Sequence, residues 1–193
     1  MAIDILNLLA KFRLNDDVEN ELAYFRTCVP WVAPKAYLNI IFKGAPEEAL
    51  RDVADKLRIP NVICDFLKKY NGAILFDGSP ILFGVRLPGQ MLNRRDPYSR
   101  SPFSIESENR LHTRHSEQFL KIGVYEFDGS SVCIDRDNER IVLFKRGETE
   151  SDSYSWPTFE IWLVSEIERV GKLFSKNGKI LVDPSQTVPM RVH

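Results

Sequence analysis

Two histidines, His112 and His115, stand three residues apart, a spacing that puts both rings on one face of a helix. With Glu108 or Glu117 they could hold a metal ion. They fall in a polar, arginine-rich stretch, where solvated side chains are the better account. The run Asp135-Arg136-Asp137-Asn138-Glu139 has the opening rhythm of a calcium loop. Its sixth position, however, is Arg140 instead of the glycine that the sharp turn needs, and its twelfth is Arg146 instead of glutamate. A charged β-turn fits better. Trp156, Phe159 and Trp162 could cage a ligand, yet their helical spacing makes them core residues first. The three cysteines, Cys28, Cys64 and Cys133, lie far apart among apolar neighbours and read as buried, reduced thiols. The sequence contains no Gly-x-Ser-x-Gly elbow, no phosphate-binding glycine loop, no Cys-x-x-Cys and no His-Glu-x-x-His. The expectation is a protein that binds without catalysing, with no cofactor and no metal.

The charged side chains suit recognition better than chemistry. Between Arg86 and Phe119 there are six arginines, no lysine and four acidic residues. So long a connection inside one domain is often functional, and Arg94, Arg95 and Arg100 are taken as partner contacts. A second candidate set is acidic: Asp77, Asp128, Asp135, Asp137, Glu148, Glu150 and Asp152, all on expected turns and loops. Complementary charge speeds association and disfavours wrong partners, so these carboxylates would suit a basic cleft such as that of a nuclease.

These groups need a scaffold, and 193 residues suffice for one well-packed core. Hydrophobic residues make up 44% and charged residues 27%, an ordinary globular balance. The net charge of -1 argues against direct nucleic-acid or membrane binding as the main business, since both need a positive field. Met1 to Phe12 is apolar but carries Asp4 and lacks the basic start and cleavage site of a signal peptide. No apolar run reaches the length of a membrane span. A cytoplasmic location is expected.

Ile5, Leu8, Leu9 and Phe12 share one helical face, as do Val18, Leu22, Phe25 and Val29, which predicts an amino-terminal hairpin of two short helices; Pro30 and Pro34 stop that pattern, and Ala36–Phe42 is expected to be extended or irregular. Leu50, Val53, Ala54 and Leu57 follow Pro46 at helical spacing. After Pro60, a second stripe runs from Val62 to Tyr70 and stops at Asn71-Gly72, where glycine can take the left-handed conformation. The pattern then turns to strands. Ala73–Phe76 and Pro80–Val85 flank Asp77-Gly78, and a three-stranded meander runs over Lys121–Phe127, Ser131–Asp135 and Ile141–Lys145. A short helix over Ile105–Leu111, capped by Ser104, interrupts the Arg-rich connection. A closing helix begins near Trp156-Pro157 and carries Phe159, Trp162, Leu163, Ile167, Val170 and Phe174. Asn177-Gly178 ends it, and Lys179–Val182 could add a strand. The fold class is α+β, an antiparallel β-sheet meander packed against helices.

Three stretches in order carry a resemblance. They are Pro46 to Leu57 with Ile59-Pro60 and Phe66-Leu67-Lys68-Lys69-Tyr70-Asn71-Gly72, then Phe119 to Gly123 with Phe127-Asp128-Gly129 and Val132 to Asp135, and last Trp156 to Leu163. Together they resemble the SUKH superfamily, the group of Smi/Knr-type cell-wall regulators and many bacterial proteins. Ala73 stands where that family often has a second glycine, and the amino-terminal and Arg-rich segments are longer than a minimal domain needs. The resemblance implies a single SUKH-like domain over 1–193, with an extension at 1–43, a core at 44–174 and a tail at 175–193. It further implies an immunity protein that neutralises a cognate toxin by stoichiometric binding. The alternative is a regulatory or scaffolding domain of the same fold without a toxin partner.

Overall fold

A computed structural model describes residues 3–12, 18–27, 38–87, 99–111, 117–146, 154–175 and 178–189. Among the described residues, nine strands form one sheet in sequence order, and each pairs antiparallel with the next. They are β1 (Val18–Glu19), β2 (Ala23–Thr27), β3 (Leu38–Lys43), β4 (Tyr70–Ile74), β5 (Ile81–Leu82), β6 (Phe119–Val124), β7 (Ser131–Asp135), β8 (Ile141–Phe144) and β9 (Tyr154–Trp156). Among the described residues, the α-helices that accompany them are α1 (Ile5–Leu9), α2 (Glu47–Leu57), α3 (Asn61–Lys69), α4 (Ile105–Leu111) and α5 (Phe159–Gly171). The expected α+β meander with its helices is what the chain forms.

The amino-terminal helical hairpin is not. Its first half is α1, capped by the Asp4 carboxylate, which accepts from Asn7 N. Its second half is the hairpin β1–β2. Val18 lies directly opposite Phe25 in that hairpin. A seven-residue separation therefore arises from cross-strand pairing as readily as from two helical turns. The turn is made by Asn20, whose Oδ1 accepts from Leu22 N and Ala23 N, both at 2.9 Å. A side chain that captures backbone donors in this way competes with helix formation. Within β2 the burial alternates, with Ala23 and Phe25 buried and Tyr24 and Arg26 half-buried. Because β3 joins both β2 and β4, residues 18–27 and 38–43 continue the sheet and are not a helical appendage.

α3 ends at Lys69, two residues earlier than the Asn71-Gly72 signal suggests, and the chain passes straight into β4. Gly72 does take a positive φ, +85°, but within the strand. A Cβ there would come within 2.7 Å of the Leu82 carbonyl oxygen, so packing and backbone both demand glycine. Asn71 is buried and binds the backbone of Val85 twice, accepting from its N at 2.6 Å and donating to its O at 2.8 Å. This pins the start of the Arg-rich connection to β4.

α5 supplies Trp162, Leu163, Ile167 and Val170 to a continuous core with Leu120, Ile122, Val132, Ile134, Ile141 and Leu143 of the sheet. Each such side chain stabilises the fold by about 1.5–3 kcal/mol on burial. Thr158 caps the helix by accepting from Ile161 N, and Trp156 belongs to β9 instead of to the helix. Phe159 meets Phe66 of α3 edge-on at 5.1 Å, joining α5 to α3. A smaller cluster of Phe119, Cys133 and Val142 with Phe144 lies on the other face of β6–β8. Beyond α5, Phe174 bridges Ile180, and a 3-10 turn at Pro184–Thr187 carries buried Thr187 and Val188 back onto the body. The expected strand at Lys179–Val182 amounts to that single bridge.

Candidate functional site

The predicted acidic residues that fall among the described residues do not form one patch. Antiparallel pairing of Ile81 with Val124 sets the Asp77 turn beside the turn that contains Asp128. Glu126 N donates to Gly78 O there, at 3.0 Å. Asp135 closes β7 at its other end, and Asp137 follows in the next turn. Asp128 is occupied within its own turn, accepting from Ser130 N at 2.8 Å and Ser130 Oγ at 2.6 Å. Asp77 is exposed and accepts from Leu38 N at 3.3 Å. Asp135 is not a surface residue at all, being 1% exposed. It accepts from Asp137 N at 3.0 Å and pairs with Arg140 Nε at 3.3 Å, which organises the turn that the sequence resembles to a calcium loop. A charge immediately before a tight turn is as useful for closing that turn as for meeting a partner, and sequence does not distinguish the two. Asp137 remains exposed. Glu148, Glu150, Asp152, Arg94, Arg95, His112 and His115 lie outside the described residues. Among the described residues, no group of three or more His, Cys, Asp or Glu side chains gathers as a metal set.

Arg100 is the predicted contact that the fold places in a cavity. A cleft of about 170 Å³ opens between the β1–β2 turn, the end of β3 and residues 99–102. Leu22, Phe42, Pro46, Leu87 and Pro102 provide apolar wall, and Glu21, Lys43, Asn71, Arg100 and Ser101 add polar groups. Lys43 is already engaged, with Nζ 3.0 Å from Glu19 and 5.1 Å from the centre of the Tyr24 ring. Arg100 Nε, by contrast, is shut off from solvent with no hydrogen-bond acceptor. Its charge acts on Asp77, but no ion pair joins it to a carboxylate among the described residues. Leu22, at 44% exposure, stands on the rim.

A larger cleft of about 280 Å³ lies between Ile3, α3 and the start of α5. Its charges are more fully matched. Lys69 is tied to Asp4 at 3.4 Å, and Asp65 to Lys68 at 3.3 Å.

Sequence reasoning missed a buried ionic network. Glu166, 2% exposed, accepts from Arg169 Nε at 2.9 Å and Nη2 at 2.7 Å, and from the Tyr125 hydroxyl. Arg169 also reaches the carboxy-terminal segment, donating to Gln186 O at 2.9 Å and Thr187 O at 2.6 Å. Burial, then the Glu166 charge, pushes the Tyr125 hydroxyl well above the ordinary tyrosine value. The network is a strap: it holds residues 183–188 against α5. Its only sequence signal is a Glu-x-x-Arg spacing, which reads as a common surface pair.

Phe127 is 54% exposed at the tip of the β6–β7 hairpin, an apolar ring displayed to solvent. No helix among the described residues is long and apolar enough to cross a membrane. Compared with family models, with curated proteins and with solved structures, the chain matches none.

Proposed function

We propose that this chain is a SUKH-like protein-binding module of the immunity type, which neutralises a cognate intracellular-acting bacterial toxin by stoichiometric binding. The observation that carries the reading is the ordered arrangement of the three family-like stretches. The first forms α2, α3 and the start of β4, the second forms β6 and β7, and the third spans β9 and the first turns of α5. All three contribute to one core, through Leu50, Ile59 and Leu67, through Leu120, Ile122 and Val132, and through Phe159 and Trp162. The motifs thus build the body and leave the specificity to what surrounds it. There the surface offers the Arg100 cleft with its apolar rim, and Phe127 on a hairpin tip. Arginine and aromatic anchors ringed by apolar side chains are the usual makings of an interface hot spot.

The test is co-expression with the toxin encoded beside this gene. Growth should be restored, and the two proteins should co-purify at one-to-one stoichiometry. A neighbouring toxin that stays fully lethal in the presence of this chain would refute the proposal, and capture of a housekeeping regulator instead would shift it to the scaffolding alternative.

A further inference from the structure

Arg100 lines the cleft beside β3, and no ion pair joins it to a carboxylate among the described residues. Arg100 Nε is buried without an acceptor. A guanidinium presents its donors as a planar fork, and the group that matches the fork is a carboxylate or a phosphate. The walls decide between them. Leu22, Phe42, Pro46 and Pro102 line the approach, so a ligand needs methylene groups behind its charge, which a bare oxyanion lacks. The volume of about 170 Å³ corresponds to several waters at roughly 30 Å³ each, room for one side chain and little more.

We propose that this cleft receives a glutamate side chain of a protein partner, its carboxylate on Arg100 and its stem against Leu22 and Phe42. The inference rests on the protein-binding reading above and adds the chemistry of the anchor. Lys43 contributes less, because Glu19 and the Tyr24 ring already hold it. Glu21 works against the ligand. It is exposed on the cleft wall, and its charge opposes an incoming carboxylate.

The experiment titrates the isotope-labelled full chain with the capped peptide Gly-Glu-Gly and, separately, with Gly-Gln-Gly, following backbone amide shifts. The Glu peptide should move the amides of Lys43, Gly44 and Ser101, with the Gln peptide weaker by about tenfold, the loss of one charge-assisted contact. Arg100→Ala should erase the discrimination between peptides. Leu22→Asp, an exposed change that leaves Arg100 in place, should weaken the Glu peptide as well, and Glu21→Gln should tighten it. Equal binding of the two peptides, unchanged discrimination in Arg100→Ala, or an acetate titration that reproduces the full effect at the same affinity would each overturn the proposal. The two claims fail separately. Discrimination without neutralisation of the toxin would fall on the functional reading, and neutralisation without discrimination would fall on this one.

Discussion

Replacing Arg169 by methionine should be among the most destabilising single changes in this chain that leave every apolar contact in place. Methionine keeps the aliphatic stem and removes the guanidinium. Glu166 would then be left at 2% exposure with the Tyr125 hydroxyl alone. The carbonyls of Gln186 and Thr187 would lose their donor at the same time. Breaking a buried pair by removing one partner costs about 3–5 kcal/mol. For a domain of this size each kcal/mol lowers Tm by roughly 2–4 °C, so the fall should be roughly 6–20 °C. Glu166→Gln should cost less, because Arg169 is about a third exposed and water can serve it once the carboxylate is gone. The double variant should be more stable than the sum of the two losses predicts, by at least about 1 kcal/mol. Urea unfolding followed by far-ultraviolet circular dichroism and tryptophan fluorescence measures all three, Trp162 being fully buried in the core beside the network. Limited proteolysis should cut residues 183–189 sooner in Arg169→Met. A loss below about 1 kcal/mol for Arg169→Met, or strict additivity in the double variant, would show that the network does not hold the strap.

Two further outcomes follow from other sites. The Asp4 carboxyl is held below its ordinary value, first by the Asn7 backbone N–H and then by Tyr70 and Lys69. A depressed carboxyl stabilises the fold above its unfolded value, about 3.9, and that contribution disappears as pH falls through the folded value. Asp4→Asn should therefore flatten the acid limb of a stability–pH curve below about pH 4 and leave its shape near neutrality unchanged; an acid limb identical to the parent's would refute this. Burial pushes the Cys133 thiol up to about 12, so it should resist iodoacetamide at pH 8 until the chain unfolds. Peptide mapping by mass spectrometry checks this, and rapid labelling of Cys133 in the native protein would contradict its burial on the sheet.

Local wording was enough to read much of the architecture. Apolar spacing located α2, α3 and the meander β6–β8, because side-chain periodicity within one element depends only on that element's backbone. Ser104 announced α4, and its Oγ accepts from Ser107 N at 3.2 Å. The failures came where two distant pieces of chain decide together. Val18 and Phe25 fit a helix and a hairpin equally well, and only the partnership of β2 with β3 selects the hairpin. Tyr70 and Asn71 could end a helix, yet pairing of β4 with β3 makes them a strand, and the Val85 backbone fixes the Asn71 side chain.

The same division holds for the groups first singled out for chemistry. The sequence alone set His112 and His115 in a polar, arginine-rich stretch that favours solvated side chains, showed that the Asp135 run lacks the glycine and glutamate of a calcium loop, and put the cysteines far apart. It also marked Arg100 as a charge inside a long connection. What only the tertiary structure decided is which charges are spent: Asp135 and Asp128 close their own turns, Glu166 and Arg169 bind each other, and Arg100 Nε is buried without an acceptor. The physical reason is that the cost of a charge depends on its burial and partners. Both are properties of the packed chain, not of residue type.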